Sequence, residues 1–90
     1  RDTVANQIID ELLAVAQAGE QTSALKLGKT YTDLRVVPDY QSAYVWLSIA
    51  QAYGLESASG LLSQVADELT LEEILVQQEK ASTTFADINS

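Results

Sequence analysis

The sequence predicts an all-α protein, a short α-solenoid of about five antiparallel helices forming one domain over residues 1–90. Three observations lead there. Apolar residues recur at intervals of three and four rather than two, the spacing of an amphipathic helix. Only one Pro and four Gly interrupt the chain, so there are few places for helices to break. Finally, one set of residues returns at a fixed interval: Ala16-Gln17-Ala18 as Ala50-Gln51-Ala52, Leu13 as Leu47, Ala24 as Ala58 and Leu27 as Leu61, each pair 34 residues apart. A period of this length, with one helix pair per unit, belongs to arrays in which each unit covers the apolar face of its neighbour.

The first helix is expected from about Thr3 to Ala18, with Val4, Ile8, Leu12, Val15 and Ala16 on one stripe and Ala5, Ile9 and Leu13 on an adjacent one. Gly19 should end it, since glycine adopts the left-handed conformation that closes a helix. A second helix opens near Thr22 or Ser23 as N-cap and carries Ala24, Leu27, Tyr31 and Leu34, with Gly28 where a neighbouring helix can approach closely. Pro38 disfavours helix for Val37, so Arg35 to Asp39 reads as a loop. Asp39 is a fitting N-cap for a third helix in which Tyr40, Ala43, Trp46, Leu47 and Ala50 share a face, ending near Tyr53-Gly54. A fourth, from about Ser57 to Leu69, packs through Ala58, Leu61, Leu62, Val65 and Leu69. Thr70 and Glu73 form a capping box at the start of a fifth, which carries Ile74, Leu75, Gln78 and Ala81 and frays through Ser82-Thr83-Thr84.

The composition removes whole classes of chemistry. With no His and no Cys, the chain has no imidazole base, thiolate nucleophile, disulfide or soft zinc ligand. Thirteen acids against five bases, a net charge of −8, repel nucleic acid, whose binding depends on clustered Lys and Arg. No apolar run approaches the roughly 20 residues of a membrane span. The paired carboxylates Asp10-Glu11, Asp67-Glu68 and Glu72-Glu73 are adjacent on helices, so they point about 100° apart and share no site. No calcium loop, Gly-rich phosphate cradle or Asp-Ser-Leu acyl-carrier attachment sequence is present. No catalysis, cofactor or metal is therefore expected. The chain begins at Arg1 and contains no Met, as a processed or trimmed polypeptide does, and the absence of Cys fits either compartment.

The stretch Ala24-Leu25-Lys26-Leu27-Gly28-Lys29-Thr30-Tyr31, then Val37-Pro38-Asp39-Tyr40, Ala43-Tyr44-Val45-Trp46-Leu47, Ala50 and Gly54 to Ala58, resembles the Sel-one-like repeat, a relative of the tetratricopeptide repeat. The resemblance implies a partial unit over residues 1–23, a full unit over 24–57 and a C-terminal capping unit over 58–90. It departs from the family between the paired helices: glycines are usual two and four residues before Pro38, where this chain has Leu34 and Val36. Either the loop takes a different turn or the second helix runs a few residues longer. The resemblance implies a noncatalytic protein-interaction scaffold, frequently bacterial and often envelope-associated or secreted.

In that family the first helix of each pair lines the concave face. The contact candidates are accordingly Lys26, Lys29, Thr30 and Asp33 on the second helix, with Ser63, Gln64 and Asp67 on the fourth, facing a protein or peptide partner. Lys26, Lys29 and Arg35 form a basic spot, while Asp67, Glu68, Glu72, Glu73 and Glu79 crowd the C-terminal third. Trp46 and Tyr31 are read as core, with Tyr44 and Tyr53 less clearly placed. The first helix carries two apolar stripes and only one can pack on the helices that follow. Ile9 and Leu13 are thus expected to remain partly exposed and to pack against another copy, giving a homo-oligomer, or against a further segment of the natural chain, the alternative function being a self-association module.

Overall fold

The computed structural model describes residues 2–90 and contains five packed helices: α1 (Asp2–Gln17), α2 (Gln21–Lys29), α3 (Tyr40–Ala52), α4 (Ser57–Ala66) and α5 (Leu71–Ile88). Among the described residues there is no β-strand and no helix long and apolar enough to cross a membrane. At the centre lies α3, with α2, α4 and α5 all packed on it, while α1 packs on α2. The backbones of α4 and α5 scarcely approach one another. Five consecutive residues of α3, Ala43 to Leu47, are buried along with Ile49 and Ala50, so most of its circumference is covered. A helix without charged side chains suits such a position, and no charged residue occurs between Asp39 and Glu56.

The ends of α1 and α3 are built alike. Gly19 and Gly54 adopt φ of +101° and +87°, with open space where a Cβ would stand, so backbone conformation alone selects glycine there. The next amides, of Glu20 and Leu55, donate to Val15 O at 3.0 Å and Ala50 O at 3.1 Å. The Gly19 and Gly54 amides donate to Ala16 O and Gln51 O, completing a Schellman closure at each end. Glu20 then begins α2, its carboxylate accepting from the amides of Thr22 at 3.0 Å and Ser23 at 2.9 Å. The N-cap is thus Glu20 rather than Thr22 or Ser23, because its longer side chain reaches back over the first turn. Asp39 caps α3 by accepting from the Ser42 amide at 3.0 Å. The capping box is formed: the Thr70 amide donates to Glu73 Oε1 at 2.8 Å, and the Glu73 amide to Thr70 Oγ1 at 3.1 Å.

Where the expected glycines are missing, the helix lengthens. Beyond Lys29 the chain continues as one π-helical turn, Thr30–Leu34, and Arg35 leaves it extended at φ −89°, ψ 146°. The loop is then tied down from both sides. The Asp39 amide donates to Tyr31 O at 2.9 Å, the Val36 amide to Asp2 Oδ1 at 2.8 Å and Arg35 Nη1 to Asn6 Oδ1 at 2.8 Å. These bonds hold the loop without any positive φ outside glycine.

Two amphipathic helices bury a different face from the one their spacing predicts. On α1, Ile9 is 5% exposed within the core and Leu13 packs partly against it, whereas Val4 and Val15 are 64% and 45% exposed. Ile9 is therefore not available as a self-association surface, while Leu13 is half-buried: the stripe centred on Ala5, Ile9 and Ala16 faces inward because the small alanines let α1 sit close. On α5, Gln77, Ala81 and partly Ile74 face inward, Leu75 faces outward, and Gln78, though exposed, reaches in to the Tyr44 hydroxyl. The helix also passes through Ser82-Thr83-Thr84 without fraying, because Phe85 stacks at 5.1 Å on Tyr53 and Ile88 joins the core. Tertiary contact holds a segment that local propensity would release.

The caps make the helix starts acid-sensitive. Hydrogen bonds from the Ser23 and Thr22 hydroxyls, then the Thr22 amide, hold the Glu20 carboxyl well below its ordinary 4.5, at about 2. Glu73 is lowered too, first by the Thr70 amide and then by the Gln41 carboxamide. A depressed carboxylate contributes stability above its unfolded-state value and loses it as pH falls through the folded one. Thermal melts should therefore be flat from neutral pH to about 5, then fall steadily toward about 2. Glu20→Gln should remove part of that acid limb; an identical limb in this variant would place the sensitivity elsewhere.

Candidate partner-binding groove

Between the α2 and π-turn segment on one side and α4 on the other lies a cleft of about 260 Å³. Its floor is apolar, built from Leu47 of α3 with Leu61 and Val65 of α4, and Gly28 lies against it. Gly28 is needed for this approach: a Cβ there would stand 2.4 Å from Leu47 Cγ and Cδ2, well inside contact distance. The absent side chain lets α2 and α3 close to the separation that sets the cleft.

Of the residues nominated from sequence, the structure brings three together. Lys29, Asp33 and Gln64 line the cleft from opposite walls. Lys26, Ser63 and Asp67 are exposed on the same two helices but do not line it. Thr30 is a correction. It is 5% exposed, and its hydroxyl donates to Lys26 O at 2.8 Å, so it serves the helix interior and offers nothing to a partner. Arg35 also leaves the basic spot, since its guanidinium faces α1, 3.9 Å from Asp2 and bonded to Asn6.

Three lining residues escaped the sequence reading: Thr32, Tyr40 and Glu68. Glu68 follows Gln64 by one helical turn and was legible as a neighbour on the same face. Thr32 is carried into the wall by the π turn, which shifts the helical phase by one residue, and its hydroxyl donates to Gly28 O at 3.2 Å and Lys29 O at 3.1 Å. Tyr40 arrives from the start of α3, and no spacing rule links it to α2 or α4. The cleft as built offers an apolar floor, one cation, two carboxylates and a carboxamide, a set suited to seating a side chain while holding its backbone or charge at the rim. Among the described residues no group of three His, Cys, Asp or Glu is placed to hold a metal ion.

Tyr44 and Trp46 lie inside, each 6% exposed, and the Tyr44 hydroxyl accepts from Gln78 Nε2 at 3.1 Å. Tyr31 and Tyr53 are half-buried. The aromatics thus build the core and its edges and do not ladder the cleft. Comparison with family models, with curated proteins and with solved structures finds no match to this chain.

Proposed function

We propose that this chain is a noncatalytic interaction scaffold of the Sel-one-like kind, a short solenoid with a full unit over residues 24–57 between a partial unit and a capping unit, and that it binds a protein or peptide in the α2–α4 cleft. One observation carries the reading: Lys29, Asp33 and Gln64, nominated as concave-face residues on two different helices, meet in a single cleft. The matching glycine closures after α1 and α3, and the full burial of Ala24 and Ala58 at equivalent repeat positions, support the repeat. The partner is an extended or helical segment that places one apolar side chain on Leu47, Leu61 and Val65.

Selection of peptides from a random displayed library against the purified chain tests this. Ligands that shift the amide resonances of Gly28, Thr32 and Gln64, and that lose about tenfold or more in affinity to a Lys29→Glu/Gln64→Ala variant, are the expected result. Ligands that bind the variant unchanged would refute the assignment. Self-association, the alternative reading, now rests on the exposed Val4 and Val15 of α1.

A further inference from the structure

Because α4 and α5 both lean on α3 and not on each other, a second trough opens between them. It has a volume of about 350 Å³, with Tyr44, Ile49 and Ala52 of α3 as floor, Leu62 of α4 on one wall and Ala81 and Phe85 of α5 on the other. No charged side chain lines it, in a chain that carries 18 charged residues, five basic and thirteen acidic. Two of its polar groups are already engaged, Gln78 donating to the Tyr44 hydroxyl at 3.1 Å and Gln51 to Ser59 Oγ at 3.0 Å, and the hydroxyls of Ser48 and Ser82 are the others. A ligand here gains by covering apolar surface.

The trough extends along α5. Gln78 and Ser82 line it, and Leu71 and Leu75 each precede one of them by seven residues, which returns a helix to nearly the same direction. Both leucines stand in the open, 71% and 56% exposed, where a helix in a solvated position normally shows polar residues. From Leu71 to Ser82 the stripe rises about 17 Å, or about three helical turns.

The helices that bound the trough are acidic, although none of their carboxylates lines it. Glu72 and Glu79 flank the stripe on α5, and Glu56 and Asp67 stand exposed at the two ends of α4. α4 contains neither Lys nor Arg. Lys80, the sole base of α5, lines other clefts, one with Leu13 and Gln17 of α1 and one beside Glu79. A second copy of this chain would bring acids against acids across such a contact, given the net charge of −8. We infer that the α4–α5 trough docks a basic amphipathic helix of a partner protein, about three turns long, with apolar residues at i, i+3 or i+4 and i+7 in the trough and Lys or Arg on its flanks against Glu72, Glu79, Glu56 and Asp67. This surface is separate from the α2–α4 cleft and stands whether or not that cleft binds a peptide.

The probe is a synthetic labelled peptide of about 14 residues made of Leu and Lys at helical period, compared at about 0.15 M salt with one of the same composition in strict alternation, which forms no apolar helical face. The helical-period peptide should bind about tenfold more tightly and shift the resonances of Tyr44, Leu62 and Gln78. Leu71→Asp/Leu75→Asp, at exposed positions whose melting curve should be unaltered, should weaken it about tenfold even though it adds two negative charges. Glu72→Lys/Glu79→Lys should weaken it as well, and Lys29→Glu should leave it unchanged. Equal binding of the two peptides, or binding to Leu71→Asp/Leu75→Asp as tight as to the parent chain, overturns the proposal in favour of unspecific charge attraction. A dimer in sedimentation that this leucine variant dissolves overturns it in favour of a second copy.

Discussion

Gly28→Ala should destabilise the protein, although alanine is the better helix former by about 1 kcal/mol. The added methyl would meet Leu47 at 2.4 Å through both Cγ and Cδ2, and Leu47 is 1% exposed at the centre of the α3 packing. The collision either drives the Leu47 side chain into the α2–α4 cleft that it floors or parts the backbones of α2 and α3. Overpacking of this kind costs about 1–3 kcal/mol, lowering the melting temperature by roughly 4–8 °C for each kcal/mol in a domain of this size. Leu47→Ala alone should cost about 2–5 kcal/mol through the cavity it leaves. In that background the colliding atoms are gone, and Gly28→Ala should become neutral or stabilising. A double-mutant cycle by thermal or urea unfolding therefore has a predicted sign. Additive effects of the two substitutions would mean that the close approach at Gly28 does not set the α2–α3 separation.

Ile9→Asp should unfold the protein or come close to it, while Val4→Asp and Val15→Asp should leave the melting temperature nearly unchanged. The three positions lie on the same helix and are equally apolar, yet Ile9 is 5% exposed and Val4 and Val15 are 64% and 45% exposed. Ile9 sits in an apolar cluster with Ala16, Leu27 and Trp46. A carboxylate placed there loses water among apolar side chains, at a cost of about 4 kcal/mol or more, against a total stability of about 5–15 kcal/mol for domains in general. Circular dichroism melts of the three variants separate the two faces of α1. The same Val4→Asp/Val15→Asp protein also tests self-association, since a sedimentation shift relative to the parent chain would show that the exposed valines hold copies together.

The residues that contradict the sequence reading share a feature. Ile9 and Leu75 both lie on helices with more than one apolar stripe, where periodicity identifies a helix and leaves open which stripe turns inward. The inward face of α1 is chosen by Ala5 and Ala16, which allow close contact with the helices beneath. That of α5 is chosen by Ala81 and Phe85, which meet α3 and Tyr53. Thr30 follows Leu27 by three residues and Ser23 by seven, so ordinary helical spacing carries it to the buried face of α2. The π turn brings Thr32 into the cleft, where Tyr40 from the start of α3 and Glu68 just beyond α4 join it.

The helix boundaries, by contrast, were largely legible from the chain alone. Gly19 and Gly54 after α1 and α3, Asp39 before α3 and the Thr70-Glu73 pair before α5 act on amides and carbonyls within one turn of themselves, so their chemistry is complete in the local sequence. The centrality of α3 was legible as well, in a run from Tyr40 to Leu55 without a charge. Tertiary structure decided the facing of α1 and α5, the length of α5 past Thr84 and the separation of α4 from α5 that opens the second trough. Each of these depends on surface buried between segments far apart in the chain, a free energy larger than any local propensity and invisible to spacing along one helix.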